Sequence, residues 1–161
     1  MGDRHKNQRI SIQILTGCTN FWLKKWNLID NDNCTFCHTE SEKAVHLFWN
    51  CEHVKQFWLN FNNYLATRIG TSFVDFDVNA IFYGVNNCDR RYMYIALYNT
   101  LIFNAKRYIY ECRYAEKKPE FNSFVHKIKY IQKTEFEIAK QNNDITKWQE
   151  KWSPLEEWQQ Q

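Results

Sequence analysis

Residues 34–51 read CTFCHTESEKAVHLFWNC, a stretch holding three of the chain's six cysteines and two of its five histidines. In order, Cys34, Cys37, His46 and Cys51 form C-x2-C-x8-H-x4-C. Three thiolates and one imidazole are the donor set that closes a tetrahedral structural zinc site. The two-residue gap lets a tight turn at Thr35 and Phe36 aim both sulfurs at one ion. Soft sulfur donors favour zinc over magnesium or calcium. His46 and Cys51 lie five apart, about 500° around an ideal α-helix, so they share a face only if one ligand stands at a helix edge. Cys51 is therefore expected near the start of the helix that carries Val54 and Trp58. Four filled positions leave none open for a catalytic water.

Two further histidines flank the set and could substitute for His46 or Cys51, although His38 directly follows a ligand and His53 closes a shorter arm. The bland alternative is a group of buried thiols and surface histidines with no metal. Cys18, Cys88 and Cys112 stand in apolar surroundings and read as core thiols. Phe48 and Trp49, between the last two ligands, read as a small local core rather than a base-stacking platform.

Outward from the cluster, helical periodicity dominates. Residues 10–29 suggest a helix, a capped break at Thr19 and Asn20, and a second short helix from near Asn20. Val54, Phe57, Trp58, Phe61, Tyr64 and Leu65 form one helix face that Gly70 ends. Residues 71–85 alternate only in part. A long helix is expected from Asp89 to about Glu116, with Tyr94, Leu97, Leu101, Ala105, Tyr108 and Cys112 inward. Lys117, Lys118 and Pro119 stop it, and Pro119 suits the first turn of the next helix. That helix points Phe121, Phe124, Val125, Ile128, Ile131, Glu135 and Ile138 inward, giving an antiparallel hairpin. The tail repeats Trp at 148, 152 and 158 as a short amphipathic segment.

Composition agrees with this reading. The chain has 161 residues, 44% apolar and 17% aromatic, with only four Gly and two Pro. That favours a helical core over a turn-rich β-fold. The expectation is a mainly α fold: residues 1–70 form N-terminal helices and the zinc module, residues 71–161 a helical bundle region, together one cooperative unit. No apolar run is long enough for a membrane span. The start, MGDRHKNQ, lacks a secretory apolar region, so a reducing interior, cytosolic or nuclear, is the default.

The net charge of +3 is unevenly placed, with residues 90–133 carrying +7 and residues 27–89 carrying −5. Lys106, Arg107, Arg113, Lys117, Lys118, Lys127, Lys129 and Lys133 face only Glu111, Glu116 and Glu120 between residues 105 and 133. Such a stretch is a candidate phosphate track for RNA or DNA, with Arg113, Lys117 and Lys118 meeting at the hairpin turn. Arg4, Lys6, Arg9, Lys24 and Lys25 could extend it, and Tyr110 and Tyr114 interleave with it. An ordinary solvated helix face is the competing reading. A third possibility is a protein-docking surface marked by exposed Trp148, Trp152 and Trp158. The D-x-D triplets at 30–32 and 75–77 read as solvated turns. No Ser/His/Asp or Cys/His arrangement for catalysis can be drawn from the residues.

The order C-x2-C, acidic patch, H-L-F, C and later Trp, within ILTG through WNLIDNDNCTFCHTESEKAVHLFWNCEHVKQFW, resembles the zinc-binding C-terminal region of non-LTR (LINE-type) retrotransposon reverse transcriptases. Downstream, NTLIFNAKRYIYECRYAEKKPEFNSF is similar to the helical segment that follows in those proteins. The resemblance spans about residues 10–140. It implies a non-catalytic module that helps hold template RNA or target DNA during target-primed reverse transcription. It also implies the remainder of a polymerase as partner. The paired aspartates of a polymerase palm are absent from this sequence.

Overall fold

The computed structural model describes residues 19–69, 77–85 and 94–156. Mainly helical structure is found there, as expected. The helices are α1 (Asn20–Lys25), α2 (Glu52–Ile69), α3 (Val78–Tyr83), α4 (Ile95–Tyr114), α5 (Phe121–Gln141) and α6 (Ile145–Glu156). A π-helical turn, His46–Asn50, precedes α2. Expectations for residues 10–18, for Gly70, and for Cys18, Cys88 and Trp158 lie outside the described residues. No helix among the described residues is long and apolar enough to cross a membrane.

The α2 stripe is inward as its spacing requires: Val54, Phe57, Trp58, Phe61 and Leu65 are all buried. Phe57 sits at the centre of the packing. Its ring lies 5.3 Å from Phe124, 5.8 Å from Phe121 and 6.0 Å from Tyr108, in the offset and edge-on arrangements that ring quadrupoles favour. Thus α2, α4 and the start of α5 share one aromatic layer. The same apolar interior runs from Cys34 to Trp152 and includes Leu47 and Phe48 between the cluster's ligands. Phe48 meets Phe82 of α3 edge-on, and its carbonyl accepts the Trp58 indole N–H at 2.8 Å.

Three helices stop without glycine. Asn27, Glu116 and Asn143 each take a left-handed backbone, with φ of 55°, 53° and 55°. Just beyond them, Leu28, Lys117 and Asp144 donate N–H bonds of 2.9 Å to the carbonyls of Leu23, Cys112 and Ala139. These are six-to-one bonds that satisfy orphan helix carbonyls. Glutamate is a costly residue for such a site, because its Cβ crowds the backbone by about 1–2 kcal/mol. Glu116→Gly is therefore expected to stabilise the protein by about 1 kcal/mol, raising Tm by about 2–4 °C in calorimetry, whereas Glu116→Ala should not.

Several expectations change on the hairpin and tail. Pro119 is buried ahead of Glu120, the N-cap of α5, so it precedes the first turn instead of forming it. Ile138 is 51% exposed while Ala139 is buried, because Ala139, 11 residues on from buried Ile128, is close to three full turns away at 3.6 residues each. Trp152 is fully buried and donates its indole N–H to Glu135 at 2.8 Å. Half-buried Trp148 bonds the Gln132 carbonyl. An exposed aromatic docking face on the tail is thereby corrected: these indoles seal α6 onto α5. Two aspartates of the D-x-D triplets are also employed, while Asp75 lies outside the described residues. Asp32 bonds Lys24 and Ser41, and Asp77 caps α3 through the Ala80 N–H at 2.7 Å.

Candidate metal centre

Two short elements present the four ligands. Cys34 and Cys37 flank a turn closed by the His38 N–H on the Cys34 carbonyl at 2.8 Å, and a lone antiparallel bridge between Asn33 and Ser41 closes the loop behind it. His38 takes a left-handed backbone, φ 60°, which lets the chain double back immediately after Cys37. The five-residue step from His46 to Cys51 is absorbed by the π-helical turn, whose Cys51 N–H bonds the His46 carbonyl at 2.9 Å. A wider turn brings positions five apart onto nearly one face, which an ideal α-helix would not do. Cys51 then leaves helical geometry and immediately precedes α2.

The ligand atoms of Cys34, Cys37, His46 and Cys51 all lie within 4.8 Å of one another. The Cys34 and Cys51 sulfurs are 3.9 Å apart, and the Cys37 sulfur is 3.3 Å from His46 Nε2. His38 is exposed, and the Nε2 of half-buried His53 lies 3.5 Å from Glu52 Oε1 instead. This group could hold one metal ion. All four cysteines among the described residues, the three of the cluster and buried Cys112, are free thiols.

The electrostatics of the bare ligands suit a cation. Cys34 is driven far above the ordinary thiol range by its hydrogen bond to Cys51 and by burial. Burial also opposes ionisation of Cys37, but bonds from the Thr39 hydroxyl and the Thr39 and Glu40 backbone outweigh it and lower its pKa. Cys51 is lowered chiefly by the bond from Cys34, helped by N–H groups of His53 and Val54 at the start of α2. Burial acts to lower His46, yet the neighbouring sulfurs win and raise it. Crowded sulfur negative charge held by backbone N–H donors is the environment that a cation completes.

Behind the cluster lies an arrangement that sequence spacing did not signal. Glu42, fully buried, accepts from the Asn20 N–H at 3.0 Å and from Arg113 Nε at 2.6 Å through one oxygen. Its other oxygen accepts from the Thr35 N–H and hydroxyl, both at 2.8 Å. Arg113 Nη2 also donates to Asn20 Oδ1 at 2.8 Å. One carboxylate thus caps α1, whose own N-cap Thr19 makes no side-chain cap bond. It also orients the turn between Cys34 and Cys37 and ties both to the end of α4.

The basic track is correspondingly revised. Arg113 is buried against Glu42, and Lys106 is buried on α4, where desolvation lowers its pKa to about 8. Neither is placed to meet a phosphate. Glu111 pairs with both Arg107 and Lys127. Lys117, Lys118, Lys129 and Lys133 are exposed and carry no ion pair among the described residues. Tyr110 stacks on the Arg113 guanidinium, whereas Tyr114 is 85% exposed.

Comparison with protein-family models, with curated proteins and with solved structures returns no match for this chain.

Proposed function

We propose that this chain is a non-catalytic, zinc-containing nucleic-acid-binding module of a LINE-type reverse transcriptase, holding template RNA or target DNA during target-primed reverse transcription. The observation that carries the reading is the convergence of three cysteine sulfurs and one imidazole nitrogen within 4.8 Å. A tetrahedral zinc with Zn–S of about 2.3 Å and Zn–N of about 2.0–2.1 Å needs S···S edges near 3.8 Å and S···N edges near 3.5 Å. The 3.9 Å and 3.3 Å separations are close to those edges, and the three-thiolate set selects zinc over harder ions. Zinc here would hold the knuckle together and leave no position for substrate. Binding would fall to exposed Lys117 and Lys118 at the α4–α5 turn, with Lys129 and Lys133 along α5.

Reversing Lys117 and Lys118 to Glu is expected to reduce the salt dependence of single-strand binding. The slope of log K on log salt should fall by about 1.4, at about 0.7 per phosphate contact, with zinc content unchanged. A filter-binding titration with RNA, single-stranded DNA and duplex at two salt concentrations measures this. An unchanged slope removes the turn lysines from the contact surface. Binding insensitive to salt points instead to protein docking.

A further inference from the structure

We infer that α1 and the residue after the buried glutamate form a second contact surface, a cationic aromatic platform for an unpaired nucleotide strand. The inference rests on the nucleic-acid reading above but uses different residues. Helix α1 and its C-cap show indoles to solvent, with Trp22 of the helix 39% and the C-cap Trp26 53% exposed, and Leu28 two residues on is 66% exposed. The two indoles are 6.2 Å apart and tilted by 31°, and Phe21 meets Trp22 edge-on at 5.4 Å, so the three rings form one aromatic cluster. Lys25 Nζ lies 5.0 Å from the Phe21 ring centre and 4.9 Å from that of Trp22, while Lys43 Nζ lies 5.3 Å from Phe21.

Two ammonium groups are therefore gathered at one ring, and no carboxylate among the described residues pairs with either. The nearby acids are committed elsewhere: Asp32 to Lys24 and Ser41, Glu42 to Arg113, Asn20 and Thr35. Asp30 and Glu40 are exposed and bond neither lysine. Ammonium groups held over rings and paired with no carboxylate among the described residues, beside partly exposed indoles, suit a ligand that is both anionic and flat. A single-stranded nucleic acid supplies phosphates for Lys25 and Lys43 and bases for Trp22 and Trp26. Duplex fits poorly, since its bases are already stacked.

The platform is held in place by the buried network. Asn20 begins α1 and bonds Arg113, and Glu42 directly precedes Lys43. Arg113 in turn closes the last turn of α4, from which Tyr114 projects and Lys117 follows. The start of α1 and the last turn of α4 are thus anchored to the same Glu42–Arg113–Asn20 network.

The test uses the full chain with oligo(U), oligo(dT), the matching duplex, and an abasic oligomer of equal charge. Trp26→Ala and Trp22→Ala should each weaken oligo(U) and oligo(dT) binding by about fivefold to a hundredfold and leave the abasic oligomer unaffected. Lys25→Glu with Lys43→Glu should lower the salt slope by about 1.4 for all single strands. Helical circular dichroism and zinc content should stay at the wild-type value in every variant. Single-strand binding lost only in the Lys117/Lys118 variant and intact in all the α1 variants overturns the platform while leaving the proposed function standing. A wild-type chain that binds none of the oligomers overturns both. Unchanged binding with a lowered Tm in the tryptophan variants overturns the platform too, since it means this face is covered within the protein. So does competition by polyglutamate without any effect of Trp26→Ala.

Discussion

Stripping the ion with a strong chelator is expected to unfold the knuckle and destabilise the rest of the chain with it. Zinc binding supplies about 10–16 kcal/mol in small modules, as much as the entire stability of about 5–15 kcal/mol of an ordinary domain. Besides the ligands, residues 33–51 are closed by one isolated bridge, short-range backbone bonds such as the Cys34 N–H on the Glu40 carbonyl, and the buried carboxylate, with little regular secondary structure. The Cys34 sulfur lies 3.9 Å from that of Cys51, a contact that with burial raises its pKa, and without a cation the four donors would have no common partner. Loss at the metal cluster then reaches the interior, because Leu47 and Phe48 are core residues and Cys51 immediately precedes α2. Circular dichroism before and after chelation checks this. Helical signal should fall and return when zinc is added back, and Cys37→Ser should show the unliganded state from the start. A signal and Tm indifferent to the chelator would mean that the fold does not depend on the ion.

Arg113→Ala is expected to cost about 3–5 kcal/mol, the usual penalty for leaving a buried ionic partner alone. Glu42 would keep its bonds from Asn20 and Thr35 but would hold an uncompensated charge at a fully buried position. Arg113→Lys should recover only part of the loss. A lysine cannot reach Glu42 and Asn20 together with the fixed fork of a guanidinium. Since Thr35 sits in the turn between two ligands, zinc affinity should also fall by about 10–100-fold, as for other outer supports of metal ligands. Urea unfolding and zinc competition on the same variant give both numbers. A variant of wild-type stability that had merely lost nucleic-acid binding would return Arg113 to the phosphate track.

How much of this the residues disclose in advance depends on the range of the interaction. The Cys3His set is legible because a C-x2-C turn is local geometry, and α2 is legible because burial repeats along its face. Thr19 and Asn20 mark a helix start correctly, although the capping oxygen comes from Glu42 rather than from Thr19. Arg113 misleads because it stands in a basic run whose nearby acids are few, while its partner lies 71 residues away. Lys106 misleads similarly, since a basic residue on an inward helix face looks in sequence like one on an outward face. Trp152 looks exposed in sequence because an amphipathic tail does not reveal what it packs on. The left-handed stops at Asn27, Glu116 and Asn143 carry no glycine to mark them, so in sequence the end of α4 points to Lys117, Lys118 and Pro119 instead. Between His46 and Cys51, an ideal helical wheel gives the wrong angle because the chain there winds more widely.

X-ray absorption at the zinc edge on the purified full-length chain tests the metal centre most directly. One zinc per chain should show three sulfur neighbours at about 2.3 Å and one nitrogen at about 2.0–2.1 Å, and Cys37→Ser should remove that signature. A chain that carries no zinc, or a shell of oxygen and nitrogen alone, would contradict the assignment of Cys34, Cys37, His46 and Cys51.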